Sequence, residues 1–163
     1  MDIRLRPIGF LHNQFESRIP EGWETALAQI AVEERWHPAL EGIEAFSHLI
    51  VLFWLDRSPR RHIEKRIHPE NREDLPAVGL FATRTPYRPN PIGLQVVELV
   101  RREGNVLTIR GIDALDGTPV LDIKPYLQRG DRIARTRIPI WLKKLWAEAE
   151  STRPKTESAG GGG

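Results

Sequence analysis

Residues 47–55 read Ser-His-Leu-Ile-Val-Leu-Phe-Trp-Leu, a near-continuous apolar run in an otherwise polar neighbourhood. A run of that kind belongs in a central strand buried on both faces, and it is far too short to span a bilayer. Residues 78–82 and 94–100 have the same character, and 8–11 and 28–32 are shorter candidates. Residues 105–112 follow a Glu103-Gly104-Asn105 turn signal, so 94–112 read as a hairpin. Residues 120–123 are bracketed by Pro119 and Pro125, which places that strand at an edge. Two segments predict helix. Residues 36–45 hold Pro38 in a first turn, and 138–150 carry Trp141, Leu142, Leu145 and Trp146 at helical spacing. The tally predicts a mainly β chain, a compact barrel or strongly curved sheet with a short C-terminal helix.

The length of 163 residues suits one domain with a single core, placed at 1–150. Residues 151–163 end in four glycines, hold almost nothing to bury and predict a disordered tail. Cysteine is absent, which excludes disulfides, thiolate metal sites and cysteine nucleophiles. The five histidines are scattered without metal-ligand spacing, so no metal is expected. No apolar leader follows Met1, and together with the lack of cysteine this predicts a cytoplasmic protein without a membrane anchor. The five tryptophans are expected as core or interface anchors, and His48 as a core or interface histidine. Residues 57–76 lack periodicity and read as a long exposed loop.

Residues 81–94, Phe-Ala-Thr-Arg-Thr-Pro-Tyr-Arg-Pro-Asn-Pro-Ile-Gly-Leu, are the most unusual stretch. Pro86, Pro89 and Pro91 fix φ and push Thr85, Arg88 and Asn90 toward extended backbone. A stiff loop holding two guanidiniums and an amide suits an anion or a carboxylate. On residue types alone, a surface turn with solvated arginines fits slightly better.

A second stretch, 113–126, reads Asp-Ala-Leu-Asp-Gly-Thr-Pro-Val-Leu-Asp-Ile-Lys-Pro-Tyr. Asp116-Gly117 is a tight-turn signal. Alternation puts Asp122 and Lys124 on one face, as a charged pair, and Leu121 and Ile123 on the other. No G-x-G-x-x-G follows an early strand, so an ordinary dinucleotide site is not supported.

In their order and spacing, ATRTPYRPNPIGL and DALDGTPVLDIKPY resemble the two signature blocks of the TrmO (TsaA-like) family. The segment GIEAFSHLIVLFWL at 42–55 resembles that family's upstream block, and the likeness covers nearly all of 5–127. It implies a barrel-like, non-Rossmann methyltransferase fold that binds S-adenosylmethionine near the interface of a homodimer. The activity it implies is methylation of N6 of threonylcarbamoyl-adenosine beside a tRNA anticodon.

The likeness assigns donor contacts to Arg84 and Leu94, to Ala114, Leu115, Asp116, Gly117 and Thr118, and to the pair Asp56-Arg57. Arg88, Asn90, Asp122, Lys124 and Tyr126 are assigned to the substrate. Longer members carry Pro-Arg-Gln near the N-terminus where this chain reads Ser17-Arg18-Ile19-Pro20-Glu21-Gly22, a difference that bears on substrate more than on fold. Basic runs at Arg57, Arg60, Arg61, Lys65, Arg66 and at Arg129, Arg132, Arg135, Arg137 suit a phosphate backbone, although Glu64, Glu70, Glu73 and Asp131 dilute them and such runs are usually solvated faces; the resemblance makes tRNA the expected partner. Two other readings stay open: a methyltransferase of this fold acting on a small molecule, and a non-catalytic donor-binding module.

Overall fold

The computed structural model describes residues 3–58 and 62–152. Eight strands follow in chain order: β1 Gly9–His12, β2 Leu27–Val32, β3 His48–Trp54, β4 Arg66–Ile67, β5 Val78–Gly79, β6 Ile92–Glu103, β7 Val106–Arg110 and β8 Pro119–Pro125. Two α-helices come last, α1 Gln128–Asp131 and α2 Ile140–Thr152. The described residues gather into two compact units, one from Met1–Glu64 with Arg84–Arg132 and one from Lys65–Thr83 with Ile133–Gly163.

The first unit is a closed barrel of order β1-β2-β7-β6-β3-β8, with β8 returning to β1. Closure leaves no unpaired strand edge for another chain to add to. The hairpin expected at 94–112 is present, with Glu103 opposite Val106 across the two-residue turn Gly104-Asn105. Gly104 has φ 60, which the turn requires and glycine supplies without strain.

Period-2 alternation fills the interior. Leu11, Ile30, Leu49, Val51, Phe53, Val97, Leu107, Ile109 and Val120 all point inward and are essentially fully buried. Each such side chain contributes about 1.5–3 kcal/mol relative to exposure. Gly93 stands opposite Phe53 in the β3–β6 ladder, and the Phe53 ring lies where a Cβ on Gly93 would be.

Several expectations change. β3 is buried on one face only: Leu49, Val51 and Phe53 are sealed, while His48 is exposed and Ile50, Leu52 and Trp54 are half-covered. A barrel has one inside, so a strand in it cannot be buried twice. β8 is not an edge strand, because it pairs with both β1 and β3. Its prolines stand at the two ends, where a missing amide costs the ladder least.

A bulge between Leu52 and Phe53 gives β8 an extra residue at Leu121, so Val120 and Ile123 both align with inward positions of β3. Residues 36–45 form two 3-10 segments, Glu34–Leu40 and Ile43–Ala45, broken at Gly42, whose φ is 81. Residues 78–82 form only the two-residue β5 before a 3-10 turn at Leu80–Ala82.

The second unit contains β4, β5 and α2. Arg72 holds it together, with Nη2 at 2.6 Å from Asp74 Oδ2 and Nη1 at 2.5 Å from Glu148 Oε2 on α2. The bonds to Asp74, then Glu148, raise the Arg72 pKa, and the Arg72 bond holds Asp74 at about 2. The loop expected over 57–76 therefore carries β4 and a 3-10 turn at Pro69–Asn71, with Pro69 and Leu75 buried. None of the five tryptophans is a sealed core residue: Trp36 and Trp146 are exposed, and Trp23, Trp54 and Trp141 are half-buried. Arg60, Arg61 and residues 153–163 of the expected tail lie outside the described residues.

Candidate functional site

Three loops meet at one end of the barrel. β1 runs out into 13–16, β3 into Asp56-Arg57, and β7 reaches β8 through 111–118. The side-chain amide of Asn13 donates to the Ala114 carbonyl at 2.9 Å. Its carbonyl oxygen accepts from the Phe15 amide at 2.8 Å. Asp116 replies with Oδ1, which accepts from the Asn13 backbone amide at 3.0 Å. Two main-chain bonds add to these, Asp116 N to Phe15 O and Gly117 N to Leu11 O, both at 2.8 Å.

Arg57 clamps the assembly. Its guanidinium donates to the Glu16 carbonyl and, at 2.7 Å, to the Asp116 carbonyl. A planar fork spans two carbonyls in a way that a lysine does not. The expected turn at Asp116-Gly117 is there, closed by Thr118 N to Leu115 O at 3.2 Å. Gly117 has φ 75, a left-handed conformation that glycine takes without the Cβ penalty.

Asp56, Arg57 and 114–118 are thus brought together, as the sequence proposes. Ala114 and Thr118 are buried, and their carbonyls accept from the Asn13 side chain and the Leu11 amide, so these two residues shape the loop. Asp113, on the same loop, keeps an exposed surface. Desolvation by the surrounding chain, and then the Glu24 carboxylate, push its carboxyl above the ordinary range.

The proline-rich loop lies beside the end of β3, fastened by Leu55 N to Pro91 O at 2.8 Å. Arg88 N donates to Pro86 O at 2.9 Å, and the Arg88 guanidinium donates to Thr85 O at 3.3 Å. A cleft of about 300 Å3 opens there, with Trp54, Asp56, His62, Tyr87 and Arg88 among its lining.

The remaining candidates make no side-chain hydrogen bond or ion pair to either place among the described residues. Arg84 is exposed and has no hydrogen bond or ion pair among the described residues. Leu94 faces outward from β6, 54% exposed, opposite Leu52. Asn90 is exposed at the loop tip. Lys124 and Asp122 form the expected pair, Nζ to Oδ2 at 2.5 Å, on the outside of β8 next to Ile50 and Leu52.

Tyr126 meets an exposed His48 edge-on at 6.4 Å between ring centroids. Its amide donates to the His48 carbonyl at 3.0 Å, which places it at the far end of β3. That end lies roughly 20 Å from Trp54 along the strand. The five substrate candidates therefore do not form one site within a single chain. Sequence reasoning missed Asn13, whose partners lie a hundred residues away; an Asn closing a strand is the only local signal of it.

The model of the tRNA-methyltransferase O N-terminal domain matches residues 12–132, which include all three loops and the cleft. The chain belongs to that family. A probable S-adenosyl-L-methionine-binding protein of Archaeoglobus fulgidus is 39% identical over 157 residues, 94% of this chain and 42% of the relative. A mouse tRNA (adenine(37)-N6)-methyltransferase is 33% identical over 153 residues, 88% of this chain and 35% of the mouse protein. The chain thus spans less than half the length of either relative. The crystal structure of TrmO from Pseudomonas aeruginosa superposes with a TM-score of 0.68 at 35% identity, covering 86% of this chain and 63% of that one. The family's barrel is the expected mainly β, non-Rossmann fold, and the S-adenosyl-L-methionine-binding and methyltransferase names of these relatives agree with the resemblance read from the two signature blocks.

Proposed function

We propose that this chain binds S-adenosylmethionine at the three-loop end of the barrel and transfers its methyl group to N6 of an adenine in tRNA. The observation that carries the reading is the convergence of Asp56-Arg57 with 114–118, the two places where the family resemblance puts donor contacts. The residues fit a sulfonium donor. Asp113 and Asp116 put two carboxylates on the loop that would face a cationic donor. Arg84, exposed and without a partner among the described residues, is free to take the donor's carboxylate.

The donor, when bound, supplies an electrophilic methyl carbon, so that forming the N–C bond returns the S–C pair to sulfur and frees one proton from nitrogen. What the protein contributes is placement and exclusion of water. Arg57 and Asn13 fix the loop that faces the donor, which limits the entropy lost on binding. Arg129 and Arg132, both exposed on the first unit, supply positive charge for a phosphate backbone. The name of the mouse relative supports tRNA adenine as the acceptor.

We further propose a homodimer built on the outer face of β3 and β6. Leu52 lies beside Leu94, Ile50 beside Val96 and Trp54 beside Ile92. Ile92, Leu94 and Val96 are 38%, 54% and 39% exposed, a contiguous apolar patch of the kind that marks an interaction surface.

The test is mass spectrometry of tRNA from a strain lacking the gene, before and after incubation with purified protein and donor. Appearance of the N6-methyl form of threonylcarbamoyl-adenosine supports the reading. Donor binding without methylation of any tRNA replaces it with a binding module, and methylation of a small molecule alone replaces it with the metabolite enzyme.

A further inference from the structure

His12 closes β1, and its Nδ1 lies 3.6 Å from Asp116 Oδ1 on the loop that would face the donor. That oxygen already accepts from the Asn13 amide at 3.0 Å, whereas Asp116 Oδ2 has no hydrogen bond or ion pair among the described residues. A separation of 3.6 Å is too long for a good hydrogen bond, so the contact has force only when the imidazole is charged. The backbone keeps the pair in register. Leu11, next to His12, and Gly117, next to Asp116, are joined by Gly117 N to Leu11 O at 2.8 Å. The His12 side chain is 55% exposed, open to protons from solvent.

The charged groups around the pair are mostly carboxylates. Asp113 and Asp116 stand on the 111–118 loop, Glu16 on the turn after β1, and Asp56 beside Arg57 at the end of β3. Arg57 supplies a fixed cation, and its fork is taken up by the Glu16 and Asp116 carbonyls. β2 opposes His12 with the neutral Gln29. A proton on His12 adds a second cation to this end of the barrel, and an imidazole exchanges that proton between about pH 5 and 8.

We infer that His12 sets how strongly the donor loop prefers a sulfonium over the neutral thioether left when the methyl is gone. The inference rests on the donor reading above. Neutral His12 leaves the Asp116 carboxylate uncompensated, and a cationic donor gains from it. Protonated His12 pairs with that carboxylate and opposes a second positive charge beside it. S-adenosylmethionine carries the sulfonium and S-adenosylhomocysteine does not, so the imidazolium weakens the first and leaves the second alone. As pH falls the loop loses its preference for donor over product, and product inhibition deepens. His12 acts here through Asp116, as a residue that determines specificity.

Calorimetric titration of the full chain at about pH 5.5 and about pH 7.5, on either side of imidazole titration, tests the inference. The ligands are S-adenosylmethionine, S-adenosylhomocysteine and sinefungin, which carries an ammonium in place of the sulfonium. The two cationic ligands should bind about three- to fivefold more weakly at the lower pH, the order expected for one partly screened charge at close range, while the thioether changes by less than about twofold. His12→Gln stays neutral and should hold the cationic ligands at their higher-pH affinity at both values. The side chain is exposed, so the fold is kept, and a melting curve checks this. Asp113→Asn should retain a step that His12→Gln removes.

A parallel pH response of all three ligands, or a step that survives in His12→Gln, would overturn the assignment and leave donor binding standing. A step lost in Asp113→Asn and kept in His12→Gln gives the effect to that carboxyl instead. A parent chain that binds none of the three ligands at either pH removes the donor reading itself, and this inference with it.

Discussion

The backbone amide of Asn13 is bonded to Asp116 Oδ1 at 3.0 Å, joining positions 103 residues apart in the chain. The Asn13 side chain returns the contact to the next loop residue but one, the Ala114 carbonyl, at 2.9 Å. One short turn after β1 thereby sets the conformation of the loop assigned to the donor.

Asn13→Ala removes a donor to Ala114 and an acceptor for Phe15, so the loop is expected to loosen by about 1 kcal/mol per lost bond. Donor affinity should fall about three- to tenfold, with a melting transition that stays cooperative. Asn13→Asp keeps the acceptor but sets a carboxylate oxygen against the Ala114 carbonyl and near Asp116, so it should lose at least as much. Calorimetry beside a melting curve decides it. Full donor affinity in a loosened Asn13→Ala protein would separate this loop from donor binding.

Gly93→Ala is expected to destabilise the barrel by about 1–3 kcal/mol, the usual range for overpacking. The added Cβ would overlap the Phe53 ring at Cε2. Phe53→Leu in the same chain should recover part of the loss, because the two sites share one contact. Urea denaturation of the single and double variants gives both values. Simple additivity of the two changes would show that the ring is not what excludes the Cβ.

Much of the barrel is legible in the sequence. Strands 28–32, 47–55, 94–100 and 105–112 announce themselves by apolar runs and a turn signal, and local chemistry fixes the β6–β7 hairpin. Closure is not legible, because the β8 pairings to β1 and β3 join segments far apart in sequence. The edge expected for β8 follows from reading its prolines as breakers when they are terminators. The burial of β3 is misjudged because Ile50, Leu52 and Trp54 are apolar yet face outward. In the site, Asp116-Gly117 and its neighbours are found by motif, whereas the grip of Asn13 and the fork of Arg57 onto two carbonyls depend on a fold that brings three loops together. Leu94 and Tyr126 belong to the motif blocks but not to the site of a single chain.

Leu94→Glu tests the proposed dimer. Leu94 lies opposite Leu52 at the middle of the exposed β3–β6 face. A carboxylate buried there on association has no partner, and that cost exceeds what the flanking apolar contacts return. Light scattering should give a dimer for the parent and a monomer for the variant at micromolar concentration. The variant should still melt cooperatively, since an exposed leucine holds up no core, at a midpoint lowered by the lost association. A monomeric parent would refute the dimer.

Arg84→Ala should leave folding intact, because the side chain is exposed and unpartnered among the described residues. If Arg84 takes the donor's carboxylate, affinity falls by about 2–3 kcal/mol, the order expected for a lost charge-assisted bond. Lysine should rescue only in part, since it lacks the fork. Arg88→Ala, acting in the cleft, should weaken nucleoside or RNA binding more than donor binding. Unchanged donor affinity in Arg84→Ala would return that side chain to the solvated reading.

Asp113 makes the pH dependence of this site predictable in sign. Desolvation first, and the Glu24 carboxylate second, raise its carboxyl above the ordinary aspartate value of roughly 4. Between the unfolded value and the raised folded one, the folded protein holds a proton that the unfolded chain has lost. Stability contributed at this position therefore falls as pH rises through that window and stays low above it. Asp113→Asn cannot ionise, so it should be more stable than the parent above the window and converge with it below about pH 4. Denaturation midpoints measured from acid to neutral pH will show either convergence or parallel curves, and parallel curves would mean that the carboxyl is not desolvated in the folded state. Donor binding adds an independent check with the opposite slope. A sulfonium beside Asp113 favours the ionised carboxylate, so donor affinity should climb with pH through the same window, and the climb should vanish in Asp113→Asn. A destabilised carboxylate that becomes favourable only when a cation binds is what a sulfonium site requires, and the two slopes together separate that from a surface aspartate of no consequence.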